Sequence, residues 1–296
     1  MIRHGWPILA AILLWWSATG AILWLDRFRA RSRGLLMLGA TAMLAGALVA
    51  LHVSSRDPSL SGAYVAFLAT LVVWGWNEIA FLSGFLSGSS SAPCPVGSSG
   101  WNRFGRGFGA VAHHEFALLL SGIAVAAVTA GGANPTGVAA FAILWGMRVS
   151  AKLNLFLGVP NAPHDMLPPH LAHLGSFFRR RTMNLLFPVS ITAATVLCVL
   201  LALRAADPAA TDAQAAATTL LAALAALGLV EHWFLVFPWR AETLWGWGLS
   251  AHGAPPSDDT HDPHRDPSHP ADRDGENKTA ACGMRLSTAG RQGAAS

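Results

Sequence analysis

Only five glutamates occur in the 296 residues, and three of them, Glu78, Glu115 and Glu231, lie in or at the edge of long apolar runs. Two of the three stand beside histidine, in His113-His114-Glu115 and Glu231-His232. An ionisable side chain inside a bilayer costs roughly 3 kcal/mol or more unless it is paired, ligated or facing a polar cavity, so such positions mark function by default. Carboxylate and imidazole together suit iron, zinc, manganese or copper, and a mixed Glu and His set suits non-haem iron above all. The candidate ligands are Glu78, His113, His114, Glu115, His164, His170, His173, Glu231 and His232. Arg148, Lys152 and Asn154, toward the end of the fifth apolar run, could hold an anionic substrate group such as a propionate. The competing role for Arg148 and Lys152 is snorkelling to the interface.

Such residues need a membrane scaffold, and the composition supplies one. The chain is 53% hydrophobic and 12% charged, with mean hydropathy +0.42. Apolar windows predict seven membrane-spanning helices near 6–25, 34–53, 61–86, 110–130, 135–157, 183–205 and 213–237. The fold class is therefore all-α, a polytopic helix bundle over 1–252. The first run is longer than a signal-peptide core and has no clean small-residue cleavage site, so it reads as a retained span. Neither a repeat period nor an inverted repeat is visible, which argues against a transporter.

Basic residues set the orientation, because short loops rich in Lys and Arg stay cytoplasmic. Connections after the odd-numbered spans carry Arg27, Arg29, Arg31 and Arg33, then Arg103 and Arg106, then Lys152 with Arg179, Arg180 and Arg181, then Arg240. The other side has Arg3, Arg56 and Arg204. This places the N terminus outside and the C terminus in the cytoplasm. The pI near 9.5 follows from these anchors rather than from a nucleic-acid-binding face.

With that orientation, groups remote in sequence converge on the cytoplasmic half of the bundle. Glu78 lies near the inner end of the third span, His113, His114 and Glu115 near the start of the fourth, Arg148, Lys152 and Asn154 near the end of the fifth, and Glu231 and His232 near the end of the seventh. The connection 154–181 is too polar and too rich in proline to span. Pro168 and Pro169 suit a helix start, and His170 and His173 follow at i and i+3 on one helical face. Non-helical backbone at this level needs cover from protein or water, so the segment is expected to cap the bundle as a cytoplasmic lid with His170 shielded from solvent.

Three readings of the polar layer stay open. One is a metal centre, iron first, with zinc or manganese as the other candidates. The second is a hydrogen-bonded cluster in which each acid is neutral or paired with His, Arg148 or Lys152. The third uses a histidine as axial ligand to a haem or chlorin, which leaves the acids without a task. Adjacent residues cannot point the same way along a helix, so His113, His114 and Glu115 cannot all face inward, nor can Glu231 and His232 together. Asp26 and Glu242 lie beside arginine at the interfaces and read as surface charges.

The remaining features are structural. Trp6, Trp24, Trp101, Trp233, Trp239, Trp245 and Trp247 lie toward span ends, as an interfacial aromatic belt would. Cys94, Cys198 and Cys282 share no metal or redox spacing. The stretch 253–296 turns to Pro, Asp, His, Ser and Gly, is expected to be disordered, and carries His261, His264 and His269.

The strings WGWNEIAFLSGFLSG, HHEFALLL, RVSAKLNLFLGVPNAPHDMLPPHLAHLGSFFRRR and EHWFLVFPW resemble the photosynthetic complex assembly family PuhE of phototrophic bacteria, over about residues 1–252. The resemblance implies a multi-span inner-membrane protein linked to photosynthetic complex assembly and bacteriochlorophyll supply. Its expected partners are membrane lipid, reaction-centre or light-harvesting subunits and bacteriochlorophyll-pathway proteins, with no nucleic acid. It carries no catalytic residues with it. The function expected is thus an assembly factor with a polar, metal-binding site, and the alternative is a metal-dependent oxidoreductase acting on a tetrapyrrole, carotenoid or quinone precursor.

The orientation is testable directly. Reporter fusions after Arg33, Arg106 and Arg240 should all read cytoplasmic, and a periplasmic signal at Arg106 would undo the common depth of the acids.

Overall fold

Seven long helices form where seven stretches of the chain each carry a long apolar window with few charges. They are α1 (Ile2–Leu25), α2 (Ala30–Ser54), α3 (Leu60–Leu82), α4 (Gly100–Thr129), α5 (Thr136–Leu157), α6 (Leu186–Ala205) and α7 (Asp212–Phe234). A short 3-10 helix, Pro169–Phe177, lies between α5 and α6. The computed structural model describes residues 2–25, 30–162, 167–238 and 244–245. His164, Asp26, Arg240, Glu242 and the expected disordered tail lie outside the described residues. All seven helices are long and apolar enough to cross a membrane.

α3 and α7 are the central pair, each 44% buried over its most apolar stretch against 22% or less for the other helices. Their sequences explain the position. α3 buries Ala63, Ala66, Ala69, Thr70, Val73, Asn77 and Ala80, and α7 buries Ala215, Ala216, Thr219, Ala225 and Gly228. Small side chains at helical spacing let backbones approach where lipid gives no hydrophobic drive to associate. At Gly228 an added Cβ would stand 2.8 Å from the Met147 side chain of α5. Polar side chains add directional contacts between helices. Thr70 donates to the Gly137 carbonyl at 3.1 Å, and Asn77 donates to Ser121 at 2.9 Å.

Large apolar side chains on the outer helices face outward instead, Leu35, Leu38, Met43, Val189 and Leu203 among them. A water-soluble domain would hide them, whereas a bundle in lipid presents them to acyl chains. At the end of the bundle where α1 and α7 begin, Arg3 pairs with Asp212 at 3.2 Å. Thr211 and Gln214 form a reciprocal capping box on α7. In the α2–α3 turn the Ser59 hydroxyl and backbone N–H hold the exposed Asp57 carboxyl below the usual carboxylate range.

α4 begins at Gly100, ten residues ahead of the start expected at 110, although GWNRFGRGFG reads as loop. Tertiary contacts override that local preference. Arg103 is buried, donates to the Phe156 carbonyl at 3.1 Å and also to the Phe177 carbonyl, and its guanidinium lies 4.1 Å from the Phe156 ring centroid. Gly107 gives Phe156 and Phe177 room, since a Cβ there would stand 3.2 and 3.3 Å from their rings.

The connection between α5 and α6 straps helix ends together. Gly158 ends α5 at φ +122°, a conformation open to glycine, and a Cβ there would stand 2.8 Å from Arg181. Val159 then pairs with Arg180 in an isolated bridge, Asn184 donates to the Gly158 carbonyl at 2.9 Å, and the Asn161 backbone donates to the Leu235 carbonyl beyond α7 at 3.1 Å. Leu171, Leu174 and Phe177 pack on Ala110 of α4.

Arg103 is the residue on which this closure turns. Arg103→Ala should lower thermal stability by about 2–4 kcal/mol through the loss of charge-assisted hydrogen bonds and ring contact. Lysine, lacking the planar fork, should restore less than half of that in thermal unfolding followed by helix content.

Candidate functional site

The helical repeat of α5 divides its polar residues between two faces. Arg148 and Lys152 are separated by four residues and share one face, while Ser150 and Asn154, also four apart, share another. Each face has its own partners.

Toward α3 and α4, Arg148 meets Glu78, whose Oε1 takes the guanidinium through NH2 at 2.5 Å and Nε at 3.1 Å. One turn on, Lys152 Nζ meets Glu115 Oε1 at 2.5 Å. Glu78 is buried at 7% exposure, so removing its cation would strand a charge away from water. His114 is buried beside both pairs, within electrostatic reach of Glu78, Arg148 and Lys152, and its ring lies 4.4 Å from that of Phe81. Its Nδ1 is buried with no hydrogen-bond partner. Glu231, half-buried on α7, lies within electrostatic reach of Arg148 and Glu78 and accepts the indole N–H of Trp15 from α1 at 3.1 Å. Five helices thus contribute to one charged layer.

Toward α6 and α7 the partners are neutral. His232 Nδ1 lies 2.8 Å from the Gly228 carbonyl and its Nε2 lies 2.9 Å from Ser150 Oγ. A carbonyl can only accept, so Nδ1 carries the proton and, in the neutral ring, Nε2 accepts from Ser150. Ser150 lies 2.9 Å from Ser190, which takes an N–H of Asn154 at 3.0 Å. One ordered chain of donors runs from Asn154 through Ser190 and Ser150 to His232, with both nitrogens of the imidazole in use.

The expected residues therefore separate. Glu78, His114, Glu115, Arg148, Lys152 and Glu231 come together in one layer of the bundle. His232 and Asn154 belong to the neutral chain beside it. Among the described residues no group of three or more His, Cys, Asp and Glu side chains is placed to hold a metal ion. The physical reason is that neighbours such as Glu231 and His232 diverge by about 100° around the helix, while Glu78 and Glu115 already hold cations from α5. Arg148 and Lys152, expected to be free for a substrate anion, are the partners of those acids.

Two further expectations are corrected. His113 is exposed and lies on an open apolar groove of about 480 Å³ between α2, α3 and α4, beside Trp76, Phe116 and Leu48. His170 is exposed rather than shielded by a lid. In the 3-10 helix Leu171, Leu174 and Phe177 recur every third residue and take the buried face, which leaves the adjacent face to His170 and His173. His173 Nδ1 lies 3.2 Å from the His170 carbonyl, and its Nε2 is buried without a partner.

Sequence reasoning missed Trp15, Ser150 and Ser190. Trp15 had a signal, since it stands mid-span while the other tryptophans singled out stand at span ends. The two serines had none, because serine inside a span ordinarily bonds to its own helix backbone.

Fold and layer together define a polytopic membrane helix bundle held by ion pairs between helices. The chain belongs to the family described as "Protein of unknown function (DUF3623)", which matches residues 1–255. It is 45% identical over 254 residues to the "Uncharacterized 30.4 kDa protein in puhA 5'region" of Rhodobacter capsulatus, covering 84% of this chain and 92% of that protein. No solved structure matches.

A double-mutant cycle tests the pairing. Glu78→Gln and Arg148→Gln should each destabilise by up to about 3–5 kcal/mol, as expected when one member of a buried pair is lost. The double variant should cost clearly less than the sum of the two in unfolding titrations, whereas strict additivity would show that the pair contributes nothing to the fold.

Proposed function

We propose that this protein is an inner-membrane factor of the PuhE type that supports assembly of the photosynthetic complexes and the supply of bacteriochlorophyll to them. The observation that carries the proposal is the identity with a protein whose name places it in the 5' region of puhA. The four sequence blocks that resemble the PuhE family support it, and they contain most of the charged layer: Glu78, His114, Glu115, Arg148, Lys152 and Glu231. Partners among the reaction-centre and light-harvesting subunits follow from the same resemblance.

The geometry supports an assembly role over metal-dependent oxidation. A redox metal requires donors with open lone pairs, and here two of the acids are neutralised by Arg148 and Lys152 while His232 is saturated by hydrogen bonds. What remains is a rigid internal frame, with half-buried charged residues facing neighbouring helices, on which a membrane partner could dock. The proposed orientation puts this layer and the arginine-rich ends, Arg103, Arg106 and Arg179 to Arg181, on the cytoplasmic side.

Deleting the gene in a phototrophic host should lower the near-infrared absorbance of the assembled pigment-protein complexes several-fold while transcripts of their subunits persist. Expression of the wild-type chain in trans should restore it. Unchanged accumulation of the complexes in the deletion strain would overturn the proposal.

A further inference from the structure

The charged layer does not balance if every group in it is ionised. Three carboxyl groups, Glu78, Glu115 and Glu231, share the layer with two cations, Arg148 and Lys152. Glu78 and Glu115 each hold a cation at 2.5 Å, whereas Glu231 has no ion pair among the described residues and accepts one bond, from the neutral indole of Trp15. Among the described residues the other elements packed on this region supply nothing more. α1 brings Trp15, α3 Glu78, α4 His114 and Glu115, and α5 Arg148 and Lys152, while the charged residues of α2 and α6 lie toward their ends. His114 could add a third positive charge, but its Nδ1 is buried without an acceptor and its ring is covered by Phe81, an arrangement that suits a neutral imidazole. An unpaired carboxylate at this depth is far less favourable than a carboxylic acid.

We infer that Glu231 is a proton-binding site: its carboxyl group holds a proton in the resting protein, and when that proton leaves, the carboxylate draws Arg148 away from Glu78. Oε1 takes the Trp15 N–H and is the carbonyl oxygen of the acid, so the proton resides on Oε2. On release the O–H bond breaks heterolytically, the electron pair stays on Glu231 and the proton goes to water. Arg148 is paired with Glu78 and lies within electrostatic reach of Glu231, so proton occupancy at Glu231 sets which of α3 and α7 is tied to α5. This inference goes beyond the assembly role and does not depend on it.

Infrared spectroscopy of the full chain in lipid vesicles at neutral pH tests it, because the carbonyl stretch of a protonated carboxylic acid is resolved from carboxylate bands and shifts in D2O. The wild type should show one such band, assigned to glutamate by 13C labelling, and Glu231→Gln should lack it. Glu78→Gln frees Arg148 for Glu231 and should lose the band as well. Trp15→Phe should keep the band and move it to higher frequency, since the carbonyl loses its donor, which gives a readout even where Glu231→Gln folds poorly. Absence of the band in wild type, or its persistence in Glu231→Gln, overturns the proton site. Persistence in Glu78→Gln overturns the exchange of Arg148.

Discussion

The contact between Arg148 and Glu78 is the constraint on which the arrangement of the bundle rests. Neither group tolerates lipid alone, and together they fix α5 against α3 at one depth and one rotation. Once α5 is set, its repeat decides the rest. Lys152 must meet Glu115 of α4 one turn further on, and Ser150 and Asn154 must face the opposite way, toward α6 and α7. Hydrophobic matching alone does not impose that register, because lipid competes with the neighbouring helices for apolar surface.

The polar contacts divide into two kinds with different consequences. The ion pairs are strong and specific but tie up the donors that a metal would need. The Asn154–Ser190–Ser150–His232 chain is neutral and fully ordered, each member donating to the next, so it rigidifies the α5–α6–α7 contact without adding charge. Between them stands Glu231, held by a single indole. It is the least satisfied carboxyl of the layer, and its proton would link the charge state of the bundle to its helix contacts.

Membership of the DUF3623 family and the likeness to a protein from the puhA region give the chain its setting, and the structure gives it a physical character. Its polar residues are collected where helices meet rather than around a solvent-filled pocket. An apolar groove lies open between α2, α3 and α4, with exposed His113 on its wall.

Amino-acid order by itself determined the seven helices and the divergence of adjacent residues such as Glu231 and His232, because hydropathy and the helical repeat are local properties of the chain. The tertiary structure decided the rest. Whether Glu78 would take a metal or a guanidinium depended on which face of α5 turned toward α3, and no local signal records that rotation. The early start of α4 depended on Arg103 reaching carbonyls 53 and 74 residues away. The outward turn of His170 depended on Leu171, Leu174 and Phe177 finding α4 to pack against. Pairing partners, rotation about a helix axis and loop closure are set by contacts between distant segments, and those energies exist only once the helices are assembled.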